Sequence, residues 1–459
     1  MNRVSTASSS GSLADYEHDD FVHVEVYSDS EAQVRVTCPD KTGLGSDFTR
    51  TIFDFGLVAQ KGDFATDGKW AFVLTTVKRP RGMAHLGPVN WDLLRMRLEN
   101  QCPSKASIST LSQLNLTDAL ASAEHDRDAG AVNEPKPGTM YILQVEVEDR
   151  VGLLHDVTQE LWACELTVHR AHISTSPAET AVDLFYVTDE RGELPTEARV
   201  AEISRNVQRV AGKRGGGAAR VMLTPAPTFV SKTRGGGSGR LFEQSAIGKI
   251  ETASAMQYSE ATVTVDNLMS KAHTVFQMRT RDRKGLLYDV LRASKDLKVH
   301  ISYAKIDVQE GGSCSVDLFV ARCTNLQEQR YLCQRYKENI ERPVSVQIMT
   351  MGLDEITTEL RVIAPLDISG FTRPRVLLDV TEALRQLNVM VFKADIIIDS
   401  RSGGGGREGA AQQLSEREGL GATRQEVHRF LLTDERGQPI SSVRDRKVIC
   451  NRVLGVLLE

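Results

Sequence analysis

A histidine followed by an aspartate, His155-Asp156, is the first pair of side chains in this sequence that could do chemistry. Such a pair can hold a metal ion that activates water for phosphoester hydrolysis. The pair falls, however, in a stretch that the chain repeats, and other copies carry Ser46-Asp47 and Tyr288-Asp289 at the same place. Further His and Asp partners do not occur at suitable spacings. We therefore predict that the chain is not an enzyme.

Other candidate sites for catalysis, metal ions or nucleic acid are weaker still. Gly45-Ser46-Asp47 hints at a nucleotidyltransferase fingerprint but lacks the further carboxylate on a following strand. His169 and His172 lie three residues apart on a predicted strand, where they point to opposite faces. Two Arg-Gly-Gly segments, at Arg214 and Arg234, lack interleaved aromatic residues and indicate a solvated linker rather than an RNA-binding segment. We expect no metal, no cofactor and no nucleic-acid partner.

The overall composition is that of an ordinary globular protein. The 459 residues include 41% hydrophobic and 25% charged residues, and this length suggests three or four domains. A net charge of −5 is too small to indicate nucleic-acid or membrane binding. Seven cysteines without a C-x-x-C pair fit a reducing compartment. No window approaches the roughly 18 apolar residues of a spanning helix.

The first residues are Ser-rich and then acidic, which predicts a disordered head. The segment is short and holds a single arginine, so we predict a cytoplasmic protein. An organelle transit peptide stays open as the alternative, because no acidic residue appears before Asp15.

A nine-residue stretch occurs four times and sets the architecture. It is DRKGLLYDV at Asp282–Val290, DRVGLLHDV at Asp149–Val157 and DKTGLGSDF at Asp40–Phe48. A worn fourth copy, TRPRVLLDV at Thr372–Val380, has Arg375 where the others have glycine.

Each copy predicts a strand, a glycine turn and a helix. A short β-branched run precedes the stretch, and glycine allows the sharp turn that follows. Leu154, Val157, Leu161 and Cys164 then form the apolar stripe of one helix face. An aspartate in the first helical turn, such as Asp156, suits the positive end of the helix dipole.

The second half of the repeat adds a hairpin and another helix. Val182–Phe185 and Val316–Phe319 share the tetrapeptide VDLF on a predicted strand, and Val182–Gly192 aligns without a gap to Val427–Gly437. The unit therefore reads strand-helix-strand-strand-helix-strand. We predict an α+β protein of tandem ferredoxin-like βαββαβ modules, each an antiparallel sheet with both helices on one face.

These repeats divide the chain into four modules with linkers. We predict a disordered head (1–32), module one (33–114), a linker (115–138), module two (139–223), a basic Gly-rich linker (224–272), module three (273–350) and module four (357–459) with an insertion (400–425). The insertion lengthens a hairpin loop, which costs little because loop-closure entropy grows slowly with length.

The D-R-x-G-L-L-x-D-V turn followed by the V-D-L-F-x-V-T-D strand resembles the ACT domain. Four such modules without a catalytic domain resemble the plant-type ACT domain repeat proteins, which are similar to the C-terminal modules of PII-uridylyltransferase. The resemblance covers nearly the whole chain apart from the head, the linkers and the insertion. It implies that the modules associate side by side and bind a free amino acid where they meet, with the glycine turn as part of the pocket.

The resemblance also implies which residues would touch that ligand. The first turn of a helix presents backbone N–H groups to a carboxylate, and glycine lets the ligand approach the backbone. The turn aspartates would take the ammonium group, and the turn arginines would assist the carboxylate. The implied ligand-binding residues are Asp149, Arg150, Gly152, Leu153, Asp282, Arg283, Gly285, Leu286, Asp40 and Gly43. The Arg375 side chain would crowd a ligand, so we expect module four to be a packing partner.

Two functions follow as hypotheses. The first is a non-catalytic, allosteric regulatory protein that senses a free amino acid at the interfaces between ACT modules. The second is a scaffold without a ligand that presents its surfaces to a regulated enzyme. The expected partners are a free amino acid, together with a partner enzyme or a further copy of the chain. Which amino acid binds, and whether modules pair within one chain or between chains, is left open.

Overall fold

The computed structural model describes residues 21–80, 83, 87–103, 140–176, 179–212, 219–226, 250–252, 260–351, 357–399 and 425–459. Within these ranges the chain forms one antiparallel sheet of eight strands and another of nine, with helices packed on them. None of the described helices combines the length and apolar character needed to cross a membrane.

Within the described ranges, the helices are the two that the repeat predicts for each module. They are α1 (Leu44–Asp54), α2 (Trp91–Gln101), α3 (Leu153–Ala163), α4 (Glu197–Ala211), α5 (Leu286–Asp296), α6 (Leu326–Glu341), α7 (Val376–Gln386) and α8 (Val443–Leu458).

The strands in the described ranges are β1 (Val22–Ser28), β2 (Glu31–Pro39), β3 (Val58–Thr66), β4 (Trp70–Lys78), β5 (Met140–Glu148), β6 (Leu166–Thr175), β7 (Thr180–Asp189), β8 (Arg220–Pro225), β9 (Ile250–Thr252), β10 (Thr262–Asp266), β11 (His273–Arg281), β12 (Ile301–Val308), β13 (Ser313–Ala321), β14 (Ser345–Met351), β15 (Thr357–Pro365), β16 (Met390–Asp399) and β17 (Gln425–Thr433). Together with the helices they confirm the tandem ferredoxin-like α+β fold.

Module one pairs with module three, and module two pairs with module four. The first sheet runs β1-β2-β4-β3-β12-β13-β11-β10, and the second runs β8-β5-β7-β6-β16-β17-β15-β14-β9. Their junctions are antiparallel, with Ile306 opposite Gly62 between β12 and β3, and Ile396 opposite Ala171 between β16 and β6. Side-by-side pairing therefore takes place within one chain, because the second strand of each module extends the sheet of its partner.

Helices reinforce both junctions. The first helices of modules one and three, α1 and α5, pack against each other, and α3 and α7 do the same in the second pair. Phe48 and Leu291 belong to one apolar core that spans modules one and three. Val157 and Val380 belong to another that spans modules two and four. Each pair of modules thus folds around a shared core.

The fourth strand of three modules comes from before the module rather than after it. In module two, β8 follows α4 and pairs with β5, as the βαββαβ order predicts. In modules one, three and four the same edge is filled by β1, β10 and β14, each of which precedes the first strand that it pairs with. Either chain end can fill this position, because the edge strand is antiparallel to the first strand in all four modules.

Several predicted boundaries need correction for this reason. Strand β1 lies inside the stretch predicted as a disordered head (1–32), and β9 and β10 lie inside the predicted linker 224–272. Strand β14 ends the predicted module three (273–350) but is hydrogen-bonded to β15 of module four. Val22, Val24 and Val26 alternate along β1, which is the strand pattern that the assignment of a head overlooked. The predicted linker 115–138 and nearly all of the insertion 400–425 lie outside the described residues.

The two copies of the VDLF tetrapeptide face opposite sides of their sheets. In module two Asp183 and Phe185 are buried, whereas in module three Val316 and Leu318 are buried. The tetrapeptide follows the first-turn aspartate one residue sooner in module two. A shift of one residue turns every side chain of a strand to the other face, so sequence identity does not mean structural equivalence here.

Buried ion pairs join the two module pairs to each other. Lys284 of module three lies 2.8 Å from the carboxylate of Asp379 in module four. In return, Arg373 of module four donates to Asp289 of module three at 2.7 Å. All four side chains are at most 5% exposed. Buried charges of this kind are tolerated only when they are paired, so these contacts fix how the two module pairs meet.

Candidate functional site

The predicted bend before each first helix is a left-handed turn in all four modules. Gly43, Gly152 and Gly285 have φ of 81°, 80° and 74°. Arg375 adopts the same conformation with φ of 68°, although it carries a side chain. A left-handed residue with a Cβ costs roughly 1–2 kcal/mol, so the packing around Arg375 must compensate for that cost.

Each of these turns is covered by the tenth residue of the first helix of the paired module. A Cβ built on Gly43 would lie 2.8 Å from Cε of Lys295, and one built on Gly285 would lie 2.7 Å from Cε1 of Phe53. A Cβ on Gly152 would lie 3.0 Å from Cγ of Arg385.

At the fourth turn the guanidinium of Arg375 lies over the ring of Trp162, 5.1 Å from its centroid. We call Phe53, Trp162, Lys295 and Arg385 the cover residues. Sequence reasoning missed them because four different residue types share one place ten positions after the turn.

The cover residues differ in how firmly they are held. Phe53 is 2% exposed and lies against Tyr288 and beneath the guanidinium of Arg373. The ammonium of Lys295 is held by Asp47 at 3.1 Å and Asp367 at 2.9 Å, and its side chain is 8% exposed. The Arg385 side chain is 43% exposed and its guanidinium binds only Glu382, on its own helix, among the described residues. Arg385 is therefore the cover residue that can move at least cost.

The predicted turn arginines are engaged within their own modules. Arg150 donates to Asp156 at 2.6 Å and to the carbonyl of Val210 at 3.1 Å. Arg283 similarly donates to Asp289 and to the carbonyl of Ile340. Each arginine thus ties the first turn of the first helix to the C-terminal end of the second helix. In module one the corresponding Lys41 lies 3.0 Å from Asp47.

The predicted turn aspartates lie at the end of the first strand beside these arginines. Asp149 accepts hydrogen bonds from Thr175 at 2.6 Å and from the amide of Arg150 at 2.8 Å. Asp40 accepts from Thr66 in the same way. Burial raises the pKa of Asp149, and it raises the pKa of Asp282 to about 6. The predicted Leu153 and Leu286 are buried core residues that begin their helices.

Two small cavities open beside these turns. One lies between modules two and four, has a volume of about 20 Å³, and is lined by Asp149, Arg150, Gly152, Asp183 and Arg385 among others. The other, of the same volume, lies between modules three and one beside Asp282, Gly285 and Phe53. A cavity of this size holds about one water molecule, so an amino acid fits only after a cover residue moves away.

Asp183 is the most buried polar side chain that lines the cavity between modules two and four. It is 1% exposed, and its Oδ1 atom accepts no hydrogen bond from the described residues. Burial, followed by the negative charge of Asp149, raises the pKa of Asp183 to about 8. In the sequence this residue is distinguished from Asp317 of the repeated tetrapeptide only by the one-residue difference in spacing, which is the signal that could reveal it.

His155 takes part in a buried network between the paired helices. Its Nε2 lies 3.1 Å from Glu382, and Thr158 and Thr381 contact each other beside it across α3 and α7. His169 contacts Thr188 within module two. Among the described residues, no three or more His, Cys, Asp or Glu side chains are grouped so that they could hold a metal ion.

Comparisons with known proteins identify the family of these modules. Three family models match: "ACT domain-containing protein ACR10, N-terminal" over residues 23–103, "ACR9-like, ACT-like domain" over 262–354, and "ACT domain-containing protein ACR9, C-terminal" over 358–403. The chain is also 33% identical over 450 residues to the ACT domain-containing protein ACR9 of Arabidopsis thaliana, covering 96% of this chain and 98% of that protein. The chain belongs to the plant ACT domain repeat proteins.

Other relatives extend this result. The ACT domain-containing protein ACR10 of Arabidopsis thaliana is 32% identical over 384 residues, covering 81% of this chain and 88% of that protein. A bifunctional uridylyltransferase/uridylyl-removing enzyme of Novosphingobium aromaticivorans is 39% identical over 74 residues, covering 16% of this chain and 8% of the enzyme. The expected likeness to PII-uridylyltransferase is therefore confirmed, and the match is confined to a small part of that enzyme.

Alanine at the Gly285 turn is expected to destabilise the protein more than alanine at an open turn. Gly285→Ala combines a left-handed backbone with a clash against Phe53 and Arg373, and such overpacking costs about 1–3 kcal/mol. Gly192→Ala is the control, since Gly192 has φ of 67° and no described atom within 4 Å of the added Cβ. Urea unfolding of both variants measures the difference. Equal losses of stability would contradict the close covering of the turn.

The buried Asp183 is expected to make the protein less stable as the pH rises from about 4 to 8. Its pKa is about 8 in the folded chain against a usual value of 3.8, so in this range the folded state keeps a proton that the unfolded state releases. Asp183→Val should therefore gain stability relative to the wild type as the pH rises. Asp317→Val, the partly exposed counterpart paired with Arg279, should not. Urea midpoints at pH 5 and pH 8 provide the test, and identical pH slopes for all three proteins would rule out a raised pKa.

Proposed function

We propose that this ACT repeat protein is a non-catalytic regulator whose module pairs bind a free amino acid, and that the site lies at the Gly152 turn between modules two and four. The observation that carries the proposal is the position of Arg385. It alone among the four cover residues combines a half-exposed side chain with a glycine turn and a cavity beneath it. Moving one arginine would join this cavity to solvent.

The groups around this turn suit the charged ends of an amino acid. Helix α3 begins at Leu153, and the amide groups of its first turn favour a carboxylate. Asp149 lies on the other side of the turn, where a carboxylate favours an ammonium group. Glycine at position 152 leaves the backbone accessible to a ligand of this size. The geometry therefore supports the ligand class that the ACT resemblance implies.

The remaining turns support a structural role. Gly285 is closed by Phe53 and Arg373, Gly43 by the doubly paired Lys295, and the fourth turn by Arg375 itself. A turn that is filled by firmly held side chains of the paired module serves as a packing contact between the two modules, whether or not a ligand is present. We infer that one turn of the four is a ligand site, and that the other three are packing contacts.

Binding at this turn would be transmitted through the pairing of modules. Arg385 is held by Glu382, and Glu382 also contacts His155 across the junction of α3 and α7. A ligand that displaces Arg385 would change this buried contact and hence the angle between modules two and four. Such a change affects a partner enzyme only if that enzyme binds the two arrangements of the modules with different affinities.

The covered turns also favour a second function, that of a scaffold. If Arg385 stays in place under all conditions, the chain presents a fixed pair of sheets to a partner enzyme and senses nothing. Affinity purification would then return a stoichiometric partner that is retained equally with and without amino acids.

Isothermal titration calorimetry with each of the twenty amino acids at millimolar concentrations tests the sensor directly. We expect heat of binding for at least one amino acid, with one site per chain, and loss of that heat in Gly152→Arg, because the new side chain fills the site. Gly192→Arg is the matched control, with the same added charge and a similar positive φ at an open turn. Absence of binding by all twenty amino acids would contradict the sensor and leave the scaffold.

A further inference from the structure

Asp183 occupies a position where the fold itself requires no charge. It lies opposite Val145 on β7, and the corresponding positions in modules one and three are Val73, opposite Val36, and Val316, opposite Met278. All these partners are apolar and buried. Modules one and three thus build the same strand with valine. Module four has the buried His428 there, opposite Val362 and 3.0 Å from Glu426. Module two alone carries a carboxylate at this position, and that carboxylate has no ion-pair partner among the described residues.

A carboxylate at this depth costs free energy unless something pairs with it. Asp183 forms no ion pair with any residue that the structure describes, and its Oδ1 atom has no hydrogen-bond partner there. The nearest cations lining the same cavity are already engaged, Arg150 with Asp156 and Arg385 with Glu382. Burying a polar group without a partner costs a few kcal/mol, and such groups in a cleft are typical of functional sites.

Asp183 lines the same cavity as the turn that would hold the proposed ligand. Gly152, Asp149 and Asp183 line it together with the apolar Ile173 and Leu384. An amino acid whose α-groups meet the α3 N-terminus and Asp149 would have Asp183 within reach of its side chain. The cavity therefore offers two carboxylates and one helix terminus, which complements two positive groups and one negative group.

We propose that the site between modules two and four selects an amino acid with a cationic side chain, and that Asp183 is the residue that pairs with that cation. This inference rests on the proposed function and names its ligand class. Displacement of Arg385 opens the cavity and provides the volume that the ligand needs. The long cationic side chain of a basic amino acid would then take the place of the arginine side chain. Neutral amino acids would leave the buried carboxylate without a partner and would bind less tightly.

Ionisation of Asp183 supports this choice. Because burial holds its pKa near 8, the group carries a proton at neutral pH and loses it when a cation arrives. The charged and titratable groups that line its cavity are Asp149 and Arg150 in the turn, His155 on α3 and Arg385 on α7, and Glu382 lies behind the last two. Binding of a basic amino acid should release a proton, which calorimetry in buffers of different ionisation enthalpy detects.

A comparison of lysine with norleucine tests the proposal, because norleucine has the same chain without the terminal ammonium. Titration of the full chain should show lysine or arginine binding about tenfold or more tightly than norleucine, as the loss of one partner of a buried charge pair predicts. Asp183→Val should reduce this preference to near unity, and Asp183→Asn should reduce it while keeping the shape. Asp317→Val, the same tetrapeptide residue on the opposite, partly exposed face of its sheet, should preserve it.

The outcomes separate this inference from the proposed function. Equal binding of lysine and norleucine, or retained preference in both Asp183 variants, overturns the role of Asp183 and leaves amino-acid sensing in place. Binding of neutral or acidic amino acids alone also overturns it. Absence of binding by any amino acid overturns both.

Discussion

The structure depends on one contact that occurs four times: the tenth residue of each first helix covers the left-handed turn of the paired module. In each module the chain passes from the first strand directly into the first helix, and the residue between them is left-handed. That residue is glycine in three modules and the strained Arg375 in the fourth. The open space above a glycine then has to be filled. Filling it from the partner module couples the local bend to the pairing of modules.

This contact explains why the chain carries four modules in alternating pairs. Each module extends its sheet through its second strand, and the first helix then lies where it reaches the other module's turn. One pair uses Phe53 and Lys295 as cover residues, and the other uses Trp162 and Arg385. The buried pairs Lys284–Asp379 and Arg373–Asp289 then fix the two module pairs against each other through the same turns. The type of the cover residue, rather than the repeated glycine, decides whether a turn is closed by packing or, as we propose for Gly152, can admit a ligand.

Much of the fold could be predicted from the sequence, because the repeated stretch fixes strand, turn and helix through local chemistry. The glycine pattern predicts a sharp turn before each first helix, and the structure shows that this turn is left-handed, at Arg375 of the fourth copy as well. The origin of the edge strand could not be predicted, since β1, β10 and β14 satisfy the same antiparallel position that β8 fills from the other chain end. The local sequence does not determine whether this strand precedes or follows the rest of its module.

The site itself was only half visible in the sequence. Asp149, Gly152 and Arg150 follow from the repeated turn, although Arg150 ties two helices of its own module together, whereas nothing in the repeat points to Asp183 or Arg385. Arg385 belongs to another module, and its role exists only once modules two and four have paired. Asp183 was concealed by its identity with Asp317, because a single residue of spacing decides which face of the strand each one occupies.

The central claim is that the Gly152 turn beneath Arg385 is the one loosely covered turn. Amide hydrogen–deuterium exchange of the ligand-free protein, followed by mass spectrometry, tests it most directly. The account predicts faster exchange in the segment 149–154 than in the corresponding segment 282–287, which Phe53 and Arg373 close. Equal exchange in the two segments, or faster exchange at 282–287, would contradict it.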